Sequence, residues 1–529
     1  MSDGADALSE AAREPHAGSP EKGILRQGET CWRMARAERV AVIVDAAAYF
    51  AAAKAAILQA KHTVFLIGWD FDLRIALERT DPIPGVPDIL GEFLTHLVES
   101  RPDLRIFVLR WDLSFLKFPF RATLPLKLLD WMSGQKLKLR ADHEHPTGAC
   151  HHQKIVVVDD SVAFCGGIDM TDFRWDTPAH ADDDPHRVTP SGNPYPPWHD
   201  VATCVAGEAA RILGDLARER WRRATGEVVP PAPPCDPCWP EFLQPDFRDV
   251  EVAVARTEPA YGEAQPEVHE IEALYLAAVR SAKRTIYIET QYFASHRIAE
   301  AIGKRLQEEN GPEIVVINPK AATGWLEEEI MGSSRAVLLK HVQECDRHGR
   351  FRIYTPVTEK GQDIYVHAKV VVVDDRFLRI GSSNLNNRSM GLDTECDLAL
   401  EDPSPSGSDA TMREVIAGIR NRLIAEHLGV QPDRFSAALE AEGGSLVAAI
   451  ERLRRNQGRS LVPFEPPALN KGEIALVETG ILDPDRPEEM AEVLRRGLSG
   501  SGFKKVLGIG LVTAAGVIAA IGLRRKRAG

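Results

Sequence analysis

His152-Gln153-Lys154-Ile155-Val156-Val157-Val158-Asp159 decides the reading of this chain, because the pattern returns as His367-Ala368-Lys369-Val370-Val371-Val372-Val373-Asp374. Each copy runs on to a glycine and a small residue, Gly166-Gly167 and Gly381-Ser382, so both read H-x-K-x4-D-x6-G-[GS]. A His and a Lys on alternate positions of extended chain point to the same face, where an imidazole and an ammonium can approach one phosphate together. The copies stand 215 residues apart. Matched spacing, with an apolar run and a turn in each copy, argues for two homologous half-domains facing one site. It also points to phosphodiester chemistry.

Outward from the motifs, helical and apolar stretches alternate. Ala46 to Lys61 reads as a helix; Thr63 to Ile67 and Arg105 to Leu109 read as buried strands ending at Gly68-Trp69-Asp70 and Trp111-Asp112. The proline-rich stretch from Val228 to Pro237 can continue neither a helix nor a central strand, so it is the linker between halves. The second half repeats the order: helix near 267–282, strand 285–289, helix near 295–309, strand 313–317, helix near 326–345, then the second motif. A helical stretch is expected from beyond Asp402 to about Arg455. The implied fold class is α/β: two pseudo-symmetric half-domains, each a mixed sheet flanked by helices, sharing one central active site. The boundaries read as a disordered N-terminus at 1–30, a first half at 31–227, a linker at 228–245, a second half at 246–430, a helical extension at 431–503 and a tail at 504–529.

Bulk charge narrows the function. A formal charge of −13 argues against nucleic acid as a partner, since a phosphate polymer normally needs a basic surface. The tail differs: Val506 to Leu523 is uncharged and mostly apolar, between Lys504-Lys505 and Arg524 to Arg527. At about 1.5 Å per residue it just spans a thin hydrocarbon core, so a C-terminal transmembrane helix is expected, with a surface-lying or protein-packed helix as the alternative. Its closely spaced Gly and Ala residues could pair two tails, a route to self-association. No apolar signal core stands in Met1 to Gly23 and the cysteines are scattered, so the catalytic body is expected on the cytoplasmic side of the membrane.

The motifs and their surroundings resemble the phospholipase D superfamily. Gly166-Gly167-Ile168-Asp169, Arg174-Trp175-Asp176-Thr177 and Pro197-Trp198-His199-Asp200 are similar to segments around the first motif of eukaryotic-type phospholipases D. Ile286 to Phe293 and Gly381 to Met390 resemble their second half, and the likeness covers roughly 35–430. It implies hydrolysis of a phospholipid headgroup diester, such as that of phosphatidylcholine, to phosphatidic acid and free alcohol through a covalent phosphohistidine. Transfer to an alcohol would compete with water. A phosphatidyltransferase of cardiolipin synthase type and a non-catalytic membrane-tethered lipid-binding protein are the alternatives.

The chemistry needs a neutral imidazole to attack phosphorus and a protonated one to release the alcohol. By the resemblance His152 is the nucleophile and His367 the general acid; the residues themselves leave the order open. Lys154 and Lys369 would neutralise the phosphate. The resemblance supplies Asp200 and Glu395 as the carboxylates that orient the imidazoles, here expected on His152 and His367 respectively. Ser382 and Asn384 are expected to add neutral donors to phosphoryl oxygen, which Gly167 and Asp169 in the first copy cannot. Asp159 and Asp374 complete the catalytic motif, although their place where a hairpin turns favours a turn-forming role. Neither metal nor cofactor is called for: the spacing of His143, His145, Cys150, His151 and His152 suits no metal pattern, and Asp182-Asp183-Asp184 lacks the Gly and Glu of a calcium loop. Phe115 to Phe120, with Arg121 and Trp131, could form a lipid-contacting lip or pack in the core.

Overall fold

The structure, a computed structural model, describes residues 23–111, 134–262, 265–321, 332–402 and 410–466. The apolar runs become strands covered on both faces. Val64 and Leu66 join one core with Val156 and Val158, while Phe65, Ile67, Ile155 and Val157 join another. A strand with a core on each side needs an apolar residue at every position, so these segments read as runs and not as alternation.

Among the described residues one sheet has sixteen strands. At its centre Arg33–Val44 and Phe247–Glu258 pair antiparallel, from Arg33 opposite Val254 to Val40 opposite Phe247. Outward from the first lie Val201–Gly207, Val162–Gly166, Ile155–Val158, Thr63–Gly68, Arg105–Trp111 and Leu137–Asp142. Outward from the second lie Glu395–Glu401, Phe377–Gly381, Val370–Val373, Thr285–Glu289, Glu313–Ile317 and Phe351–Val357. Order and sense repeat, with three parallel strands outermost in each set. The halves are therefore related by a pseudo-twofold axis at the central pair. Ser460–Pro463 adds an antiparallel edge to the second half.

Helix Glu208–Thr225 and helix Ala410–Leu428 each follow the strand beside the central one and bury apolar stripes in the core shared by both halves. Helix Ala46–Ile57 ends before the expected Lys61, because the N–H groups of Lys61, His62 and Thr63 are captured by Asp159. The helix expected near 326–345 is found as Ser333–Cys345; positions 326–331 lie outside the described residues. The extension continues as helices Pro432–Ala441 and Leu446–Leu453.

Two expectations are corrected or fall elsewhere. Residues 23–30 are not disordered: Ile24 is buried, and the N–H groups of Ile24 and Leu25 donate to the Glu401 carboxylate at 3.0 and 2.9 Å. The tail at 504–529, the lip at 115–120 and residues 1–22 lie outside the described residues. No helix among the described residues is long and apolar enough to cross a membrane.

Candidate active site

Each motif runs into a tight hairpin whose turn residues are left-handed: Asp159 and Asp160 at φ 50° and 51°, Asp374 and Asp375 at 51° and 59°. Aspartate tolerates this region better than most side chains. The Asp159 carboxylate accepts the N–H groups of Lys61, His62 and Thr63 at 2.6–2.8 Å, and Asp374 those of Lys283, Arg284 and Thr285 at 2.6–2.9 Å. Seven residues of extended chain, about 20 Å, separate each from its histidine. The motif aspartates therefore tie the hairpin to the next strand and do not belong to the catalytic group.

The histidines lie at the other end, where the halves meet. The His152 N–H donates to the Thr394 carbonyl at 3.0 Å and the His367 N–H to the His199 carbonyl at 2.8 Å. Each motif is thus laid along the segment that leads into the carboxylate-bearing strand of the opposite half. This reverses the expected pairing. Nδ1 of His152 lies 3.0 Å from both oxygens of Glu395, and Nδ1 of His367 lies 2.7 Å from Oδ2 of Asp200. Asp200 and Glu395 are pseudo-symmetric equivalents, since Gly166 faces Ala202 and Gly381 faces Asp397 in the same register. Sequence proximity assigned each carboxylate to its own half; the twofold carries each across the seam. In both imidazoles Nε2 has no partner among the described residues, which leaves it open for phosphorus or a leaving oxygen.

The Gly/Ser difference between motifs has a local cause. A Cβ on Gly167 would stand 2.1 Å from Oδ1 of Asp200, so the first half needs glycine for the carboxylate to approach the backbone. In the second half Ser382 fills that position and donates to Glu395 at 2.5 Å, while accepting the Cys396 N–H. Ser389 likewise accepts the Asn384 N–H and donates to Glu395 at 2.7 Å. Both hydroxyl protons go to Glu395, so Ser382 orients His152's partner and does not donate to phosphate as expected. Asn384 is buried with Oδ1 unpartnered, so its side chain remains uncommitted at the site.

Lys154 and Lys369 are buried, Lys154 with Nζ 3.0 Å from the His152 carbonyl and 3.2 Å from Asp169, which also accepts the Trp69 N–H. Lys369 donates to the His367 carbonyl and lies 3.5 Å from Gln291. Burial, with Lys154 and Arg174 adding to it, draws Lys369 down to about 7 against the attraction of Asp200 and Glu395. Burial and the lysine charges hold both imidazoles well below their ordinary value. Lys369 acts on His152 and Lys154 on His367, so the four motif residues form one electrostatic unit.

A second cluster adjoins the site that the sequence reading did not anticipate. Asp45, His180, His199 and Glu426 bring ligand-type atoms within 4.8 Å of one another. Nδ1 of His180 is held by Asp176 at 3.0 Å and Nε2 of His199 by Glu289 at 2.9 Å, so the inward nitrogens face Asp45 and Glu426. Two imidazoles backed by carboxylates, with two further carboxylates, form a donor set that fits a divalent cation. Without one, the imidazoles carry the charge: against the burial that lowers it, Asp45, Asp176 and Glu426 raise His180 to about 9. Elemental analysis of the purified protein distinguishes the two states. These residues stand far apart in the chain, so no spacing signalled them. The histidines expected to be unsuited to metal turn elsewhere: His151 to Asp142 at 3.4 Å, His145 to Trp111 at 3.0 Å. Asp182 and Asp183 bind Thr358 and Lys360 across the halves.

The chain is similar to known proteins in both halves. Residues 275–417 match the family model described as "Cardiolipin synthase, PLD-like domain", and residues 130–232 the one described as "Phospholipase D". Phospholipase D alpha 2 of Oryza sativa subsp. japonica is 26% identical over 72% of this chain and 63% of its own length. Phospholipase D alpha 1 of Carica papaya is 26% identical over 75% and 65%. The chain thus spans somewhat under two thirds of the length of these relatives. Among solved structures, the phosphatidylserine synthase of Haemophilus influenzae Rd KW20 aligns over 78% of this chain and 95% of its own, at 14% identity and a TM-score of 0.48. Two motif-bearing halves, their crossed histidine–carboxylate pairs and matches to both halves place the chain in the phospholipase D superfamily.

Proposed function

We propose that the protein is a phospholipase D that cleaves the headgroup phosphodiester of glycerophospholipids, phosphatidylcholine among them, to phosphatidic acid and free alcohol. The observation that carries this reading is the crossed pair of imidazoles, each held at Nδ1 by a buried carboxylate with Nε2 open. Nε2 of His152 forms a bond to phosphorus as the P–O bond to the headgroup breaks, and Nε2–H of His367 gives its proton to the departing oxygen. His367 then takes a proton from water, which attacks phosphorus and releases His152. An alcohol in place of water gives transphosphatidylation. Lys154 and Lys369 offset the charge that builds on the phosphoryl oxygens.

Product analysis with mixed labelled phospholipids, with and without ethanol or glycerol, tests the reading. Phosphatidic acid in water and phosphatidyl-alcohol with added alcohol are expected. Headgroup exchange without detectable hydrolysis would favour the phosphatidyltransferase reading, in line with the cardiolipin synthase-type match over 275–417. Binding without turnover would leave a tethered lipid-binding protein. The acidic balance of the chain disfavours a nuclease. The uncharged tail between basic flanks is proposed to anchor the enzyme, with the catalytic body cytoplasmic.

A further inference from the structure

We propose that Arg174 is a further substrate-binding residue, a third cation that takes phosphoryl oxygen on the His367 side of the site. The proposal rests on the phosphodiester reading above. Arg174 is half-buried, and its guanidinium lies 4.2 Å from the centre of the Trp198 ring. Trp198 in turn stacks on Tyr365 at 4.5 Å and lies 5.2 Å from the His367 ring. The guanidinium therefore stands one indole away from a catalytic imidazole. Its charge acts on His367, Lys369 and Asp200.

Two observations make this cation more than a packing element. It has no carboxylate or hydrogen-bond partner among the described residues, and its Nε is buried without one. The residue is only half-buried, but leaving the buried Nε–H donor unmade is costly, and an anion at the guanidinium would satisfy it. The chain also reaches it through Phe173 at φ 61°, a left-handed conformation unusual for a bulky side chain, so Arg174 is held in place against local preference.

The charge balance supplies the reason. Asp169, which replaces the neutral Asn384 of the second half, sits 3.2 Å from Lys154 and cancels much of its charge. Asp200 and Glu395 add two more carboxylates beside the imidazoles. Burial holds Asp200 and Glu395 above the ordinary carboxylate range and draws Lys369 down to about 7, so with Lys154 paired to Asp169 the two motif lysines offer a diester anion less than two full positive charges. Arg174 restores the balance, and its planar fork suits two phosphoryl oxygens at once. It also meets the second negative charge that the transition state and a monoester product carry.

The test uses the full-length chain with inorganic phosphate as the probe, measured by calorimetry, beside steady-state hydrolysis of a dispersed short-chain phospholipid. Arg174→Gln should weaken phosphate binding and lower kcat/KM, each by about tenfold or more, the scale of losing a charge-assisted contact. Arg174→Lys should recover part of both, and it keeps the test decisive if Arg174→Gln proves unstable to heating. Phosphate affinity unchanged in Arg174→Gln overturns the proposal, as does lost turnover with phosphate affinity intact, since that would be a positioning effect through Trp198. A wild-type chain that binds no phosphate overturns it too. Failure of the two readings separates cleanly. Phosphate binding that depends on Arg174 in a chain that hydrolyses no phospholipid sinks the phospholipase reading and keeps the arginine. Hydrolysis with Arg174-independent phosphate binding does the reverse.

Discussion

At the residue scale, the crossed pairs give each histidine a carboxylate from the other half, and that partition is open to kinetic separation. Glu395→Gln should impair His152 as nucleophile, while Asp200→Asn should impair His367 as acid, each by about a hundredfold or more, the usual scale of a positioned acid or base. A diester with a nitrophenol leaving group needs little protonation, so it should rescue Asp200→Asn and not Glu395→Gln. Rescue of Glu395→Gln alone would exchange the two roles. The histidines should behave as one unit: His152→Ala, His367→Ala and the double variant should each lose about a thousandfold or more in kcat, far from additively. Near-normal turnover by either single variant would defeat the two-histidine mechanism. The active form needs one imidazole neutral and one protonated, and burial with the lysines holds both below the ordinary value of about 6.5. Activity should therefore peak between two low apparent values of the pair, on the acid side of that figure, and decline as pH rises toward 8 because the acid loses its proton. A kcat/KM that climbs steadily from pH 6 to 8 would contradict the depressed imidazoles.

At the scale of the element, the motif aspartates act on strands. Each accepts three backbone N–H groups at the start of the neighbouring strand. Asp159→Ala and Asp374→Ala should each lower stability by about 1–3 kcal/mol, since one buried donor, the N–H of Thr63 or Thr285, is left unmade while the other two can turn to water. The denaturant midpoint reads this directly. Activity per folded molecule should fall far less than in the histidine variants; a loss of histidine-like size in fully folded protein would return these aspartates to the chemistry.

At the scale of the whole molecule, one sheet runs through both halves and each half completes the other's active site. Loss of activity and loss of secondary structure in urea should therefore coincide in one transition. Two separated transitions, with activity lost in the first, would show the halves to be independent. The tail makes a separate prediction: truncation after Ser501 should release the protein from membranes, leave hydrolysis of dispersed lipid intact and slow hydrolysis of bilayers through reduced local concentration. A full-length protein that salt washes off vesicles would make the tail a surface helix held partly by its cations.

The sequence by itself determined the fold class, the two halves and the four motif residues. These are legible because strands with a core on both faces must be continuous apolar runs, and because a duplicated motif repeats at matched spacing. Strands 285–289 and 313–317 could be read off residue for residue for the same reason. Only the tertiary structure decided who partners whom. Asp200 and Glu395 were identifiable as carboxylates of the site, but their exchange across the seam follows from the pseudo-twofold axis, which no local pattern encodes. The role of Ser382 was set by the approach of Glu395, and the cluster of Asp45, His180, His199 and Glu426 by the packing of four distant segments. Periodicity reports which face a residue takes along its own strand; contacts between halves depend on how those faces are brought together.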